Sequence, residues 1–247
     1  MSDQLDSVSK ANFIELASDA QKNDFSKIVN FLKRKNISKL FHFTHISNLE
    51  SILENGIETR MFLESNAFNF QATDPIRMDR FTESISFSIG EPNRLLLPLK
   101  SFDSEHQLVV LEVSANSLLT QNFAAFPSNA ASGVFKSEIL NNPDRYVGIR
   151  ALVGLFLNSP LRNEARLSLD VPTDTQAEIL FFDSIAPSKI QKIHISPLFP
   201  LTMRPTVERL RSQCEGPLFE FVCECGLFNR SEGPFRKYSP EWEENGQ

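Results

Sequence analysis

Apolar residues fall first at helical spacing and then at alternating spacing along this chain. Phe13, Ile14, Ala17 and Ala20 mark one helical stripe. Asp24 is then placed to cap a second helix with Phe25, Ile28, Val29 and Leu32 inward. Lys33, Arg34 and Lys35 fall in its last turn, where positive charge suits the helix dipole. Leu40 to His45 alternates as a strand does, and Ser47-Asn-Leu-Glu50 reads as a capping box opening a short helix closed by Gly56. Residues 60–83 read as a long polar loop. Ser84 to Ile89 gives the clearest strand, with Ile85, Phe87 and Ile89 on one face and Ser84, Ser86 and Ser88 on the other. Gln107 to Ser114 has the near-continuous apolar character of a central strand. Phe123 to Phe135, low in charge and rich in small residues, reads as a closely packed loop. Pro143 is placed to start a helix burying Val147, Ala151, Leu152 and Leu155. The turn Asp170 to Thr175 leads into a strand at Ile179 to Phe182; Ile190 to Ile195 is another strand, and Pro205 opens a helix reaching about Cys214.

Composition narrows this α+β pattern. A chain of 247 residues with 41% hydrophobic and 23% charged content fits an ordinary globular domain. Neither repeats nor a linker divide it, so one domain over 1–213 with a peripheral tail from 214 to 247 is expected. Phe is present 22 times against 2 Tyr and 1 Trp, which makes it the expected large filler of the core. No apolar run approaches the ~20 residues of a membrane span, and the acidic N-terminus does not resemble a signal peptide, so a cytoplasmic protein is expected. The 3 cysteines, Cys214, Cys223 and Cys225, lack the fourth ligand of a structural zinc site, and no metal is expected. A net charge of −6 argues against general binding to nucleic acid but leaves room for a local basic groove. Arg77, Arg80, Arg94, Arg145 and Arg150 are the residues available to build one.

Two stretches carry candidate chemistry. His42 and Thr44 share a strand face immediately before a helix whose first turn contains Asn48, an arrangement suited to an anionic or hydrogen-bonding ligand such as a nucleotide. A satisfied core histidine is the plainer alternative for His42, and His42-x-x-His45 lacks a carboxylate partner for a metal. Downstream, Gln176 and Glu178 lie on the same strand face, with Leu180 and Phe182 following them inward. Taken alone that pair is more often an exposed strand end.

Four blocks in order change the weighing: Leu40-Phe-His-Phe-Thr-His-Ile-Ser-Asn-Leu-Glu-Ser-Ile-Leu-Glu-Asn-Gly56, Ser84-Ile-Ser-Phe-Ser-Ile89, Phe126-Pro-Ser-Asn-Ala-Ala-Ser132 and Pro172-Thr-Asp-Thr-Gln-Ala-Glu-Ile-Leu180. Together they resemble the DarT family of DNA ADP-ribosyltransferase toxins, over roughly Leu40 to Ser196, with the second and third blocks closer to the DarT1 type. The resemblance implies an ADP-ribosyltransferase-type fold, two small mixed β-sheets around a cleft for NAD with flanking helices. It implies His42, Thr44, Asn48 and Ser86 on the NAD side and a loop arginine, Arg77 or else Arg80, on phosphate or ribose, with Arg77 counted beside Glu178, the catalytic glutamate. Gln176, Asn129 and Arg150 fall on the side of the acceptor. The implied reaction moves ADP-ribose from NAD to a base of single-stranded DNA, guanine favoured, and the implied partner is a macrodomain antitoxin of DarG type. A carboxylate beside the ribose suits that chemistry, because it opposes the positive charge that develops as the glycosidic bond breaks. Transfer to protein or RNA, and an inactive module that only holds nucleotide or single-stranded DNA, are the alternatives.

Overall fold

The computed structural model describes residues 7–74, 81–103, 107–157, 160–196, 198, 202, 204–213, 220–223 and 228. In chain order the elements are α1 (Ser7–Lys35), β1 (Lys39–His45), α2 (Leu49–Asn55), α3 (Arg60–Ser65), β2 (Ile85–Ile89), α4 (Leu96–Asp103), β3 (Leu108–Ser114), β4 (Phe123–Phe126), α5 (Gly133–Asn141), α6 (Gly148–Gly154) and α7 (Pro160–Glu164). They continue with β5 (Glu178–Phe181), β6 (Ile190–Ile195), α8 (Arg204–Gln213) and β7 (Glu220–Cys223). The chain therefore has the α+β class its pattern predicts.

The strands run in the order β4-β5-β2-β1-β3-β6-β7, seven in all. Every pairing is antiparallel except β6 with β7, which is parallel. The two small sheets expected around a cleft take the form of two halves of this order, joined at a narrow seam. Strand β1 pairs with β3 along its whole length, from Lys39 opposite Ser114 to His45 opposite Leu108. With β2 it shares only the pairs Leu40 with Ile89 and Phe41 with Ser88. Beyond Phe41 the two strands part. Further along the chain, Glu220–Cys223 extends the sheet at its edge and Phe228 packs with Phe41, Leu97, Leu108 and Val110.

Alternation along β2 explains the seating of the sheet. Ile85, Phe87 and Ile89 enter the main core with Leu40, Val109, Leu111, Val113, Ile179, Phe181 and Ile193, while the serine face looks the other way. A second cluster collects Phe13, Phe81, Phe126, Phe135, Tyr146 and Leu180. Six of the largest fully buried side chains are phenylalanines, Phe81, Phe87, Phe123, Phe126, Phe135 and Phe181, each worth roughly 1.5–3 kcal/mol of burial.

Several local expectations are corrected. The N-terminal segment is one helix of 29 residues, without a break at Asp24. No Gly or Pro interrupts it. The Asp24 carboxylate instead caps a distant helix, its Oδ2 accepting from Ile149 N at 3.1 Å at the start of α6. Gly148 there has φ +61° and lies so close that a Cβ would meet Asp24 Oδ2 at 2.6 Å. Phe25 faces outward, 48% exposed, because α1 turns that flank to solvent. Ser47 lies inside a 3-10 turn, Ile46–Asn48, whose cap is His45, so the capping box does not form. Pro143 opens a 3-10 turn, Pro143–Tyr146, rather than the helix itself. Residues 123–126, expected as loop, form the wholly buried strand β4 against β5; Ala124 and Ala125 leave room for β5 and helices to close on them.

One buried charge crosses the centre of the sheet. Glu112 on β3 accepts from His194 Nε2 of β6 at 3.2 Å and pairs with Lys39 Nζ of β1 at 3.3 Å. Burial pushes its carboxyl up, but the His194 hydrogen bond and the Lys39 charge outweigh that and hold it below its ordinary value of 4.5. A depressed folded value makes this stabilisation fully present above the unfolded value and lost as pH falls through the folded one. Glu112→Gln is accordingly expected to lose roughly 1.5–3 kcal/mol at pH 7. In urea melts the gap between wild type and variant should close as pH drops through the carboxylate range; a gap independent of pH would count against the ion pair.

Candidate active site

Where β1 and β2 part, a cavity of about 450 Å³ opens between the two halves of the sheet, within the size range of small-molecule clefts. His42 and Thr44 of β1, Ser84 just before β2, Ser86 and Ser88 of β2, Glu178 at the start of β5, and Asn129 and Ala131 of the turn after β4 all line it. The roof is residues 69–74, and α4 adds Leu96 and Lys100. Gly56, with φ +95°, passes so close to Ile185 O that a Cβ would lie 2.4 Å from it, which lets the wall at Gly56 to Glu58 close on the cavity.

Ser86 links the two distant segments. Its carbonyl takes a hydrogen bond from His42 Nδ1 at 2.9 Å. A carbonyl only accepts, so the neutral ring carries its proton on Nδ1 and leaves Nε2 as an acceptor. The Ser86 hydroxyl donates to Glu178 Oε1, and Ala130 N donates to Glu178 Oε2 at 2.9 Å. Asn129 shapes that donor, its Oδ1 accepting from Ala131 N at 2.8 Å. Two donors from different elements fix the Glu178 carboxylate in the cavity wall. Chemically the arrangement offers a fixed negative charge, a ring nitrogen and a row of hydroxyls around one ligand.

Asn48 has a more structural position than the sequence implied. Its amide donates to Thr44 Oγ1 at 2.9 Å and to Gln71 O at 2.8 Å, and its Oδ1 accepts from Gln71 N at 2.8 Å. The side chain thus pairs with Gln71 as one strand residue pairs with another, pinning the roof to α2. Arg60 adds a bond from Nη1 to Asp74 O at 3.1 Å, and Lys100 Nζ stands 3.7 Å from Asp74 Oδ1.

The other residues singled out in the sequence fall as follows. Arg77 and Arg80 lie outside the described residues. Strand β5 begins at Glu178, so alternation does not reach Gln176, which sits in the preceding turn with its N–H on Asp174 Oδ1 at 2.7 Å and does not line the cavity. Arg150 is exposed on α6, also away from the lining, and Arg94 pairs with Glu91 at 2.9 Å. Among the described residues no group of three or more His, Cys, Asp and Glu could hold a metal. Sequence reasoning passed over Glu58, Arg60 and Lys100, all in the lining. The signal for the first two was Thr59, whose hydroxyl accepts from Phe62 N at 3.2 Å and starts α3 inside what read as loop. Burial pushes the Glu58 carboxyl above its ordinary range.

The mixed sheet thus opens at one seam, and His42 and Glu178 both line the cavity there, each bonded to Ser86. The solved structure of Thermosipho africanus DarTG in complex with ADP-ribose shares this fold, with a TM-score of 0.51 and 17% identity over 77% of this chain and 50% of that one. This chain therefore spans about half the length of that relative. Thermus sp. 2.9 DarT in complex with ADP-ribosylated single-stranded DNA also matches, with a TM-score of 0.44 and 14% identity over 77% of this chain and 96% of that chain. The same protein in complex with NAD+ gives 0.41 and 13% over 74% and 94%. No curated protein matches by sequence. Residues 41–197 match the family model described as DarT, ssDNA thymidine ADP-ribosyltransferase, and the chain belongs to that family.

Removing the Asn48 clasp should free the roof while leaving the sheet intact. Asn48→Ala is expected to speed amide exchange at residues 69–74, most at Gln71, by about tenfold, the worth of one to two net hydrogen bonds. Exchange at Gln71 equal to wild type would refute the clasp.

Proposed function

We propose that this enzyme transfers ADP-ribose from NAD to a base of single-stranded DNA, guanine favoured, and acts in the cytoplasm as the toxin of a toxin–antitoxin pair. The observation that carries the reading is the Glu178 carboxylate, held by Ser86 and Ala130 N in the wall of a cavity that His42 also lines. The preference for guanine rests on the likeness of Ser84 to Ile89 and Phe126 to Ser132 to the DarT1 type; the family description itself names thymidine. A macrodomain protein of DarG type, removing the modification, is the matching partner.

In this reading Glu178 opposes the positive charge that develops on the ribose carbon as nicotinamide leaves, then accepts the proton released by the attacking base. His42 and Thr44 orient the nicotinamide end, and Ser86 keeps Glu178 aimed. The 127–132 turn, with Asn129 at its head, lies beside Glu178 and is where the acceptor strand would approach. An acceptor base must arrive unpaired, because a stacked base cannot present its edge to a ribose in a cleft. Arg60 and Lys100 are the described cations of the lining suited to the pyrophosphate, with Arg77 or Arg80 as further candidates.

Incubation with NAD and short oligonucleotides of varied sequence, read by mass, tests acceptor class and base together. Glu178→Ala is expected to lower transfer by about 10²–10⁴-fold or more with the fold retained by circular dichroism. Full transfer by that variant, or transfer by wild type to protein or RNA but not DNA, would overturn the proposal.

A further inference from the structure

Beside the main cavity runs an open groove lined by Glu58, Thr59, Met61, Phe62, Ser65, Asn66, Phe182 and Ser184, and Glu58 belongs to both. Its floor is apolar and accessible, with Met61 47% and Phe62 42% exposed. Phe62 is held rather than loose: its N–H is capped by Thr59, its carbonyl accepts from Asn66 Nδ2 at 2.9 Å, and its ring lies 6.0 Å from that of Phe68 at 30°. The helix carrying it is tied to the chain before β2 by Met61 N to Thr82 O at 2.8 Å. A rigid exposed aromatic is the usual platform for an unpaired base, because every base offers a π-face.

Glu58 gives the platform an edge. Among the described residues no hydrogen bond or ion pair engages its carboxylate. Burial already penalises its charge, so a donor brought to it by a ligand would be favoured. A carboxylate accepts hydrogen bonds and offers none, which matches the amino-bearing edges of guanine, adenine and cytosine. Thymine presents carbonyl oxygens on both sides of its single N–H, and these repel it.

The groove cannot be the place of transfer. Phe182 is four residues beyond Glu178 along the strand direction, about 13 Å at the rise of an extended chain. That separation suits a neighbouring nucleotide of a strand whose acceptor base is at Glu178. We propose that this groove is a subsite for a base flanking the acceptor, stacked on Phe62, and that Glu58 selects an amino-bearing base there over thymine. The inference rests on the proposed DNA acceptor and adds to it the origin of sequence context.

Oligonucleotides with a fixed acceptor and each neighbouring position in turn set to A, C, G, T or an abasic residue test it, with transfer read by mass. Wild type is expected to favour A, C or G over T by about tenfold or more at one neighbouring position, and to lose transfer when that position is abasic. Glu58→Gln, whose amide can also donate, should bring the T ratio close to one, and Phe62→Ala should remove most of the difference between a base and an abasic residue. Being ratios within one variant, these readings do not depend on its total activity. Flat ratios in wild type, or ratios unchanged in both variants, would overturn the subsite while leaving DNA transfer standing. If wild type labels no oligonucleotide, subsite and DNA acceptor fall together.

Discussion

The site depends on the early parting of β1 from β2. Had their ladder continued past Phe41 and Ser88, the space that His42, Thr44 and Ser86 now line would be filled by paired backbone. Ser86 stands at the parting and serves both sides, its carbonyl holding the histidine and its hydroxyl holding the glutamate. Two segments more than a hundred residues apart in sequence are thereby set in one wall through a shared residue. A site built on strand ends in this way inherits the rigidity of the sheet, which matters for a carboxylate that must hold its aim.

Around this seam several supports join a side chain to backbone. Ala130 N holds Glu178, Asn129 shapes the turn that presents that N–H, and Asn48 clasps Gln71. Each replaces a backbone partner that irregular chain would otherwise lack. Exposed ion pairs such as Arg60 with Glu64 add little by comparison.

Much of this was legible beforehand, for physical reasons that differ by region. The alternation of Ser84 to Ile89 fixed which face is polar, because a strand has only two faces. His42 and Thr44 were placed by the same rule. Alternation failed at Gln176, since a turn has no period, and at 123–126, where four consecutive buried residues, two of them alanine, give no alternating signal. Glu58, Arg60 and Lys100 were hidden because they reach the cavity from helices and connections whose direction is set only by packing. Asp24 is instructive in the same way: it does cap a helix, but one reached through space, a relation that a scan along the sequence cannot detect.

The unbroken length of α1 has a mechanical meaning. Phe13 and Ala17 near one end sit in the second apolar cluster, and Ile28, Phe31 and Leu32 near the other sit in the main one, whose members come from both sides of the seam. A stiff rod glued across a joint acts as a splint. The jaws of the cleft are thereby braced against each other, and the covering segment 69–74 is fastened beside them by the side chains of Asn48 and Arg60.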